Sequence, residues 1–101
     1  MDSSIILIEK TYTEDELGQR IPGEEKHTEI LVRINSIGRN EFYKAGQSGL
    51  NPEFVFITAR INYSGEKEIE FEGKRYSVYR AFSPPDSDDI ELYVHKKVGV
   101  Q

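Results

Sequence analysis

Apolar residues spaced two apart, in short runs closed by turn-forming clusters, constrain this chain more than any other feature. A period of two buries one face of a β-strand and does not suit a helix. Ile30, Val32 and Ile34 alternate with Leu31, Arg33 and Asn35, and Val55, Ile57, Ala59 and Ile61 alternate with Phe54, Phe56, Thr58 and Arg60. Ile69 and Phe71 lie between Glu68, Glu70 and Glu72, while Ile90, Leu92 and Val94 alternate with Glu91, Tyr93 and His95. Strands are expected at 5–9, 28–37, 53–61 and 68–72, in a fifth stretch with Tyr76, Val78 and Phe82 inward, and at a sixth stretch around 90–95. Glu72-Gly73-Lys74 is the clearest hairpin turn, and 83–89, with Pro84 and Pro85, reads as a stiff acidic loop.

Six strands and no internal repeat point to an all-β, mainly β, single domain over 1–101. The expected architecture is a small antiparallel six-stranded β-barrel or sandwich with one short helix or loop between strands 2 and 3. Closing the sheet would protect its edges; a more open α+β arrangement is the alternative. At 101 residues, with 37% apolar and 31% charged residues, the chain can build a core but has little stability to spare. Residues 11–28 are expected to form a long mobile excursion, since they are polar and contain Gly18, Pro22 and Gly23. Thr13 with Glu16 resembles a capping box for at most one helical turn. Residues 96–101 read as a tail.

The segment between strands 2 and 3 breaks the pattern. Joining two antiparallel strands takes a few residues, yet 38–52 inserts a polar stretch long enough for two helical turns. Asn40 is the expected N-cap, Glu41 suits the positive helix end, and Gly46 or Gly49 with Pro52 supplies the stop. So short a helix needs a partner surface to be stable. Insertions of this kind carry function more often than plain turns do.

Candidate chemistry is sparse. The net charge of -5 opposes a surface that grips nucleic-acid phosphates. With no cysteine there is no disulfide, thiolate metal site or cysteine nucleophile, which fits cytosolic assembly. His27 and His95 are far apart without a third nitrogen or sulfur ligand nearby, and the acidic runs 14–16 and 86–89 lack calcium-loop spacing. The serines include no Gly-x-Ser-x-Gly, and Lys44 and Ser48 beside Gly46 and Gly49 are in the wrong order for a phosphate loop. An enzyme and a cofactor are therefore not expected. Residues 3–8 are apolar but short, without a basic leader and closed by Glu9 and Lys10, so they read as a buried strand rather than an export or membrane segment. Arg75, Tyr76, Tyr79 and Arg80 form the one aromatic–basic cluster. It supports an alternative reading as a small oligonucleotide-binding-type barrel for single strands, although pairing with Glu68, Glu70 and Glu72 accounts for the same residues.

Glu41-Phe42-Tyr43-Lys44-Ala45-Gly46-Gln47, then Asn51-Pro52-Glu53-Phe54, then Gly73-Lys74-Arg75-Tyr76-Ser77-Val78-Tyr79, occur in an order that resembles the head-tail joining family of tailed bacteriophages, also called head closure, head completion or stopper proteins. The resemblance runs through nearly the whole chain and rests on order and spacing rather than on one motif. It implies a structural virion protein, a small β-barrel that is monomeric when free and forms a ring, a dodecamer in the virion, below the portal and its adaptor protein. A tail-completion or tail-terminator protein would bind its lower face, and DNA would pass through its channel without specific binding. Assembly would begin in the host cytoplasm and end at the head-tail connector of the virion. In the best understood members of this family the loop between strands 2 and 3 projects into the channel, where the ring closes the DNA exit. Carried over by position, that loop is 39–51, with Arg39, Asn40, Glu41, Phe42, Tyr43, Lys44, Gln47, Ser48 and Asn51 as candidate channel and assembly residues.

Overall fold

The computed structural model describes residues 2–96. Six strands, β1 (Asp2–Glu14), β2 (Arg20–Ser36), β3 (Pro52–Ala59), β4 (Glu68–Phe71), β5 (Lys74–Phe82) and β6 (Asp89–Lys96), form a closed antiparallel barrel in the order β1-β2-β3-β6-β5-β4. One helix, α1 (Arg39–Gln47), lies between β2 and β3, and a 3-10 turn (Arg60–Asn62) follows β3. The expected barrel architecture is present. Closure runs through three residue pairs between β1 and β4, Ile6 with Glu70, Leu7 with Ile69 and Ile8 with Glu68.

On β2, β4 and β6 the alternating aliphatic residues fill the barrel, whereas on β3 Phe54 and Phe56 face it and Val55 and Ile57 do not join the cluster. Ile5, Leu7, Ile30, Val32, Phe56, Ile69, Tyr76, Ile90, Leu92 and Val94 form one buried cluster, against which Ile34, Phe54, Tyr63, Phe71 and Val78 pack. Its centre is aromatic: the Phe56 ring lies 5.4 Å from Phe71, 5.9 Å from Phe54 and 6.5 Å from Tyr76, mostly edge to face. The β4–β5 hairpin turns at Glu72 and Gly73, both at positive φ (52° and 76°), as a two-residue turn of matching twist requires.

Four expectations need correction. Residues 11–28 are not an excursion: β1 and β2 stay paired to Glu14 and Arg20, so together they make a hairpin arm that continues past the barrel. With about 3.3 Å per residue the arm extends roughly 20 Å beyond Ile8, and the molecule is accordingly elongated, 48 × 30 × 28 Å. Polar and charged residues on both faces concealed the strand period there. No helical turn starts at Thr13. Asp15 closes the tip instead, its Oδ1 accepting from the N–H groups of Leu17 (2.9 Å) and Gln19 (2.8 Å). An extra residue on β2 between Glu25 and Pro22 absorbs the register shift opposite Lys10 and Tyr12. Gly23 sits in it because a Cβ there would meet Thr11 Oγ1 at 2.7 Å.

Phe82 also departs from expectation: it is exposed rather than inward. The register slips between Val78 and Arg80, so Tyr79 is an extra residue on β5 and every side chain after it changes face. Finally, β3 ends at Ala59, and Ile61 stands on the 3-10 turn, 91% exposed. Of the expected tail, residues 97–101 lie outside the described residues.

The root of the arm is braced by charge. Arg75 reaches Glu25 (3.2 Å), Glu68 (3.2 Å) and Glu70 (3.4 Å), and Lys10 pairs with Glu68 at 3.0 Å. Hydrogen bonds from His27 and then Arg75 lower the Glu25 carboxyl to about 2, so the Glu25 part of the brace stays charged to strongly acidic pH.

Candidate functional site

Helix α1 is not held by its own sequence. Gly38 is the N-cap, in place of the expected Asn40, and gives no side-chain hydrogen bond. Asn40 lies inside the first turn. The C-terminal end is well made: Gly49 N–H bonds the Gly46 carbonyl and Leu50 N–H bonds the Ala45 carbonyl, with Gly49 at φ +81°. This pair of bonds is a Schellman cap, whose left-handed residue favours glycine. Gly46 lies within the helix, so of the two expected stop glycines Gly49 does the stopping.

A single carboxylate fastens the helix to the barrel. Glu41 Oε2 accepts from the Tyr79 hydroxyl (2.7 Å), and Glu41 Oε1 accepts from Arg80 Nη2 (2.7 Å). The β5 bulge is what makes this possible, because it lets neighbouring residues Tyr79 and Arg80 both reach the helix side of the sheet. The Arg80 guanidinium also stacks on the Tyr93 ring, 4.0 Å from its centroid, and Tyr93 in turn donates to Glu91 (2.7 Å). Tyr79 lies between Tyr93 and His95, at ring distances of 6.3 and 5.9 Å. The latch therefore joins α1, β5 and β6.

Electrostatics follow from that geometry. Burial alone would raise the Glu41 pKa, but the hydrogen bonds from Arg80 and Tyr79 outweigh it and hold the carboxyl below the ordinary carboxylate value. Burial, then the bond to Glu41, pushes the Tyr79 phenol well up, and it stays a donor across the working pH range.

The expected residues divide into two groups. Glu41, Lys44 and Ser48, with Ala45, Leu50, Tyr79 and Arg80, line a cleft of about 340 Å³ between helix and barrel. Arg39, Asn40, Phe42, Tyr43, Gln47 and Asn51 lie on the outside and are exposed. Phe42 and Tyr43 are 47% and 62% exposed, with their rings edge to face at 6.3 Å, so the outer face of α1 offers an aromatic pair to solvent. Sequence reasoning missed the part that Tyr79 and Arg80 play in holding the helix. No local signal connects Glu41 with residues on β5, since only the fold and its bulge bring them together.

The arrangement ties α1 to β5 through both oxygens of one carboxylate. Substituting Glu41 with alanine should raise amide exchange across 39–47 and cost about 1–2 kcal/mol locally, the usual worth of charge-assisted hydrogen bonds that are partly exposed, while exchange in the barrel stays unchanged. Acid should do the same to the parent protein. The folded pKa of Glu41 is depressed, so the latch is complete above the ordinary carboxylate value and is lost as pH falls through the lower folded value. Amide exchange followed by NMR across acidic pH checks both outcomes.

No protein-family model matches the sequence, and no curated protein is significantly similar to it.

Proposed function

We propose that this chain is the head closure subunit of a tailed phage or prophage connector. It would form a ring below the portal and adaptor, help retain packaged DNA and offer the tail its attachment surface. The observation that carries this reading is the helix between β2 and β3: a two-turn element with an exposed Phe42–Tyr43 pair, docked on a closed barrel by one carboxylate. An element fastened so lightly is suited to exchange its own barrel for a neighbour during assembly. The order of Glu41-Phe42-Tyr43-Lys44-Ala45, Asn51-Pro52 and Gly73-Lys74 along the chain supports the same family, and a net charge of -5 repeated around a ring would let DNA pass without adhering.

In the ring the contacts of the free subunit would be the portal-side adaptor above, a tail-completion or tail-terminator protein below, and copies of itself at the sides. The reading as a single-strand-binding module loses its basic residues. Arg75 is engaged with Glu25, Glu68 and Glu70, and Arg80 with Glu41, leaving Tyr79 bonded to the same carboxylate.

Electron microscopy of the assembled connector is the test. A ring between portal and tail into which this barrel fits, with α1 toward the axis, is the expected result. Connectors whose density is fully accounted for by other chains would refute the proposal.

A further inference from the structure

The β1–β2 arm stands off the barrel without a core of its own, and a two-stranded ribbon by itself is marginal in water. Its root is nonetheless braced by Arg75 and Lys10, so the arm is held in a defined direction. Both of its outer edges lack a strand partner among the described residues: β4 covers β1 only as far as Ile8, and β3 covers β2 only from Arg33 to Ser36.

Those two edges match each other. The Leu31 carbonyl accepts from Thr58 Oγ1 (3.0 Å) on the β3 side, so Leu31 and, by alternation, Glu29, His27 and Glu25 turn their backbone groups away from β1. The bulge at Gly23 advances the alternation by one, after which Pro22 and Arg20 face outward on β2, and Tyr12 and Glu14 face outward on β1. Within the hairpin, Glu9 sits opposite Lys26, Tyr12 opposite Pro22, Thr13 opposite Ile21 and Glu14 opposite Arg20. Suppose a second copy lies beside β2 in the same register. Its Glu14 then meets Arg20, its Glu9 meets Lys26, and its outward-facing backbone groups meet the outward-facing groups of β2. Pro22 has no N–H, so the Tyr12 N–H of the added strand bonds only its carbonyl. A shift by two residues would set Glu14 against Pro22 and leave only Glu16, past the end of β1 in the tip turn, opposite Arg20.

We propose that the arm is a self-association element, in which β1 of one copy adds antiparallel to the open β2 edge of the next, in the register that the hairpin itself uses. The contact joins two different edges, so it is heterologous and repeats from copy to copy with all arms pointing the same way. That it closes into a ring, instead of running on as a filament, rests on the connector reading above. A strand addition this short falls well below the roughly 1,200 Å² of a stable interface, so dilute copies are monomeric and the contact is read by trapping it.

The chain has no cysteine, which makes trapping clean. Across the contact Thr13 and Ile21 form a non-hydrogen-bonded pair, whose close spacing suits a disulfide. Single variants Thr13→Cys and Ile21→Cys, one of them isotopically labelled, are mixed at high concentration in a thiol–disulfide buffer. The mixed disulfide should exceed either homodimer by at least about tenfold, because docking raises the local thiol concentration toward the millimolar range. The off-register pair Thr11→Cys with Ile21→Cys should show no such excess. Mixed and homodimeric products in statistical proportion, or an equally abundant off-register product, would overturn the proposal. Amide spectra verify each fold; if Ile21→Cys perturbs the arm, Glu9→Cys with Lys26→Cys tests the same register. A connector ring in virions without this disulfide would remove the arm contact and leave the connector reading in place, whereas the disulfide in a protein absent from virions would do the reverse.

Discussion

Phe56→Ala should destabilise the barrel by about 3–5 kcal/mol, the usual cost of emptying a phenylalanine site in a closed core. Phe56 is fully buried, and three further aromatic rings, those of Phe54, Phe71 and Tyr76, lie around it. They come from β3, β4 and β5, so the cavity would be bounded by strands that hydrogen bonds hold in place and would collapse poorly. A domain of this size has about 5–15 kcal/mol in total. The loss is therefore at least about a fifth of the whole, and each kcal/mol lowers Tm by about 4–8 °C. Phe56→Leu keeps most of the volume and should cost markedly less. Urea and thermal denaturation read both variants, and a cost below about 1 kcal/mol for the alanine variant would mean that this aromatic cluster is not the core.

The contrast with Phe82 shows what the pattern of residues could and could not disclose. Ile30, Val32, Ile69, Ile90, Leu92 and Val94 are inward as their alternation with polar residues predicts, because within an unbroken strand the side-chain period is fixed at two. Phe82 belongs to the same apparent pattern and is exposed, since the extra residue at Tyr79 inverts the faces beyond it. No glycine or proline marks that bulge, so nothing local announces it. The arm was hidden for the opposite reason. Its residues are mostly charged and polar, with one proline and two glycines, the usual composition of a loop, yet they pair, with Glu9, Lys10 and Glu14 standing opposite Lys26, Glu25 and Arg20 across the hairpin.

The candidate site was legible as a segment and not as a site. A polar stretch too long for a hairpin, with glycines at its end, marked α1 and its stop at Gly49. Its need for a docking partner followed from its shortness. Which partner could not be read, because Glu41 meets Tyr79 and Arg80 from another strand, and the aromatic–basic pair that suggested a nucleic-acid surface is the receptor for the helix. The same contact explains why few residues of α1 contribute to the core: Ala45 alone is buried, and Glu41 supplies the rest of the attachment.

The largest functional effect should follow from removing the protein itself. On the proposed connector reading the ring closes the DNA exit and carries the tail, and without it both duties would lapse together: heads would package DNA and fail to keep it, and completed tails would remain unattached. Replacing 39–49 with a short turn should separate the duties of barrel and helix. The barrel should keep its thermal stability, because α1 adds little to the core, while DNA retention or ring assembly suffers. Negative-stain electron microscopy and DNA content of particles made without this chain measure the central claim most directly. Emptied heads lacking tails are the predicted result; tailed, DNA-filled particles in normal numbers would contradict it.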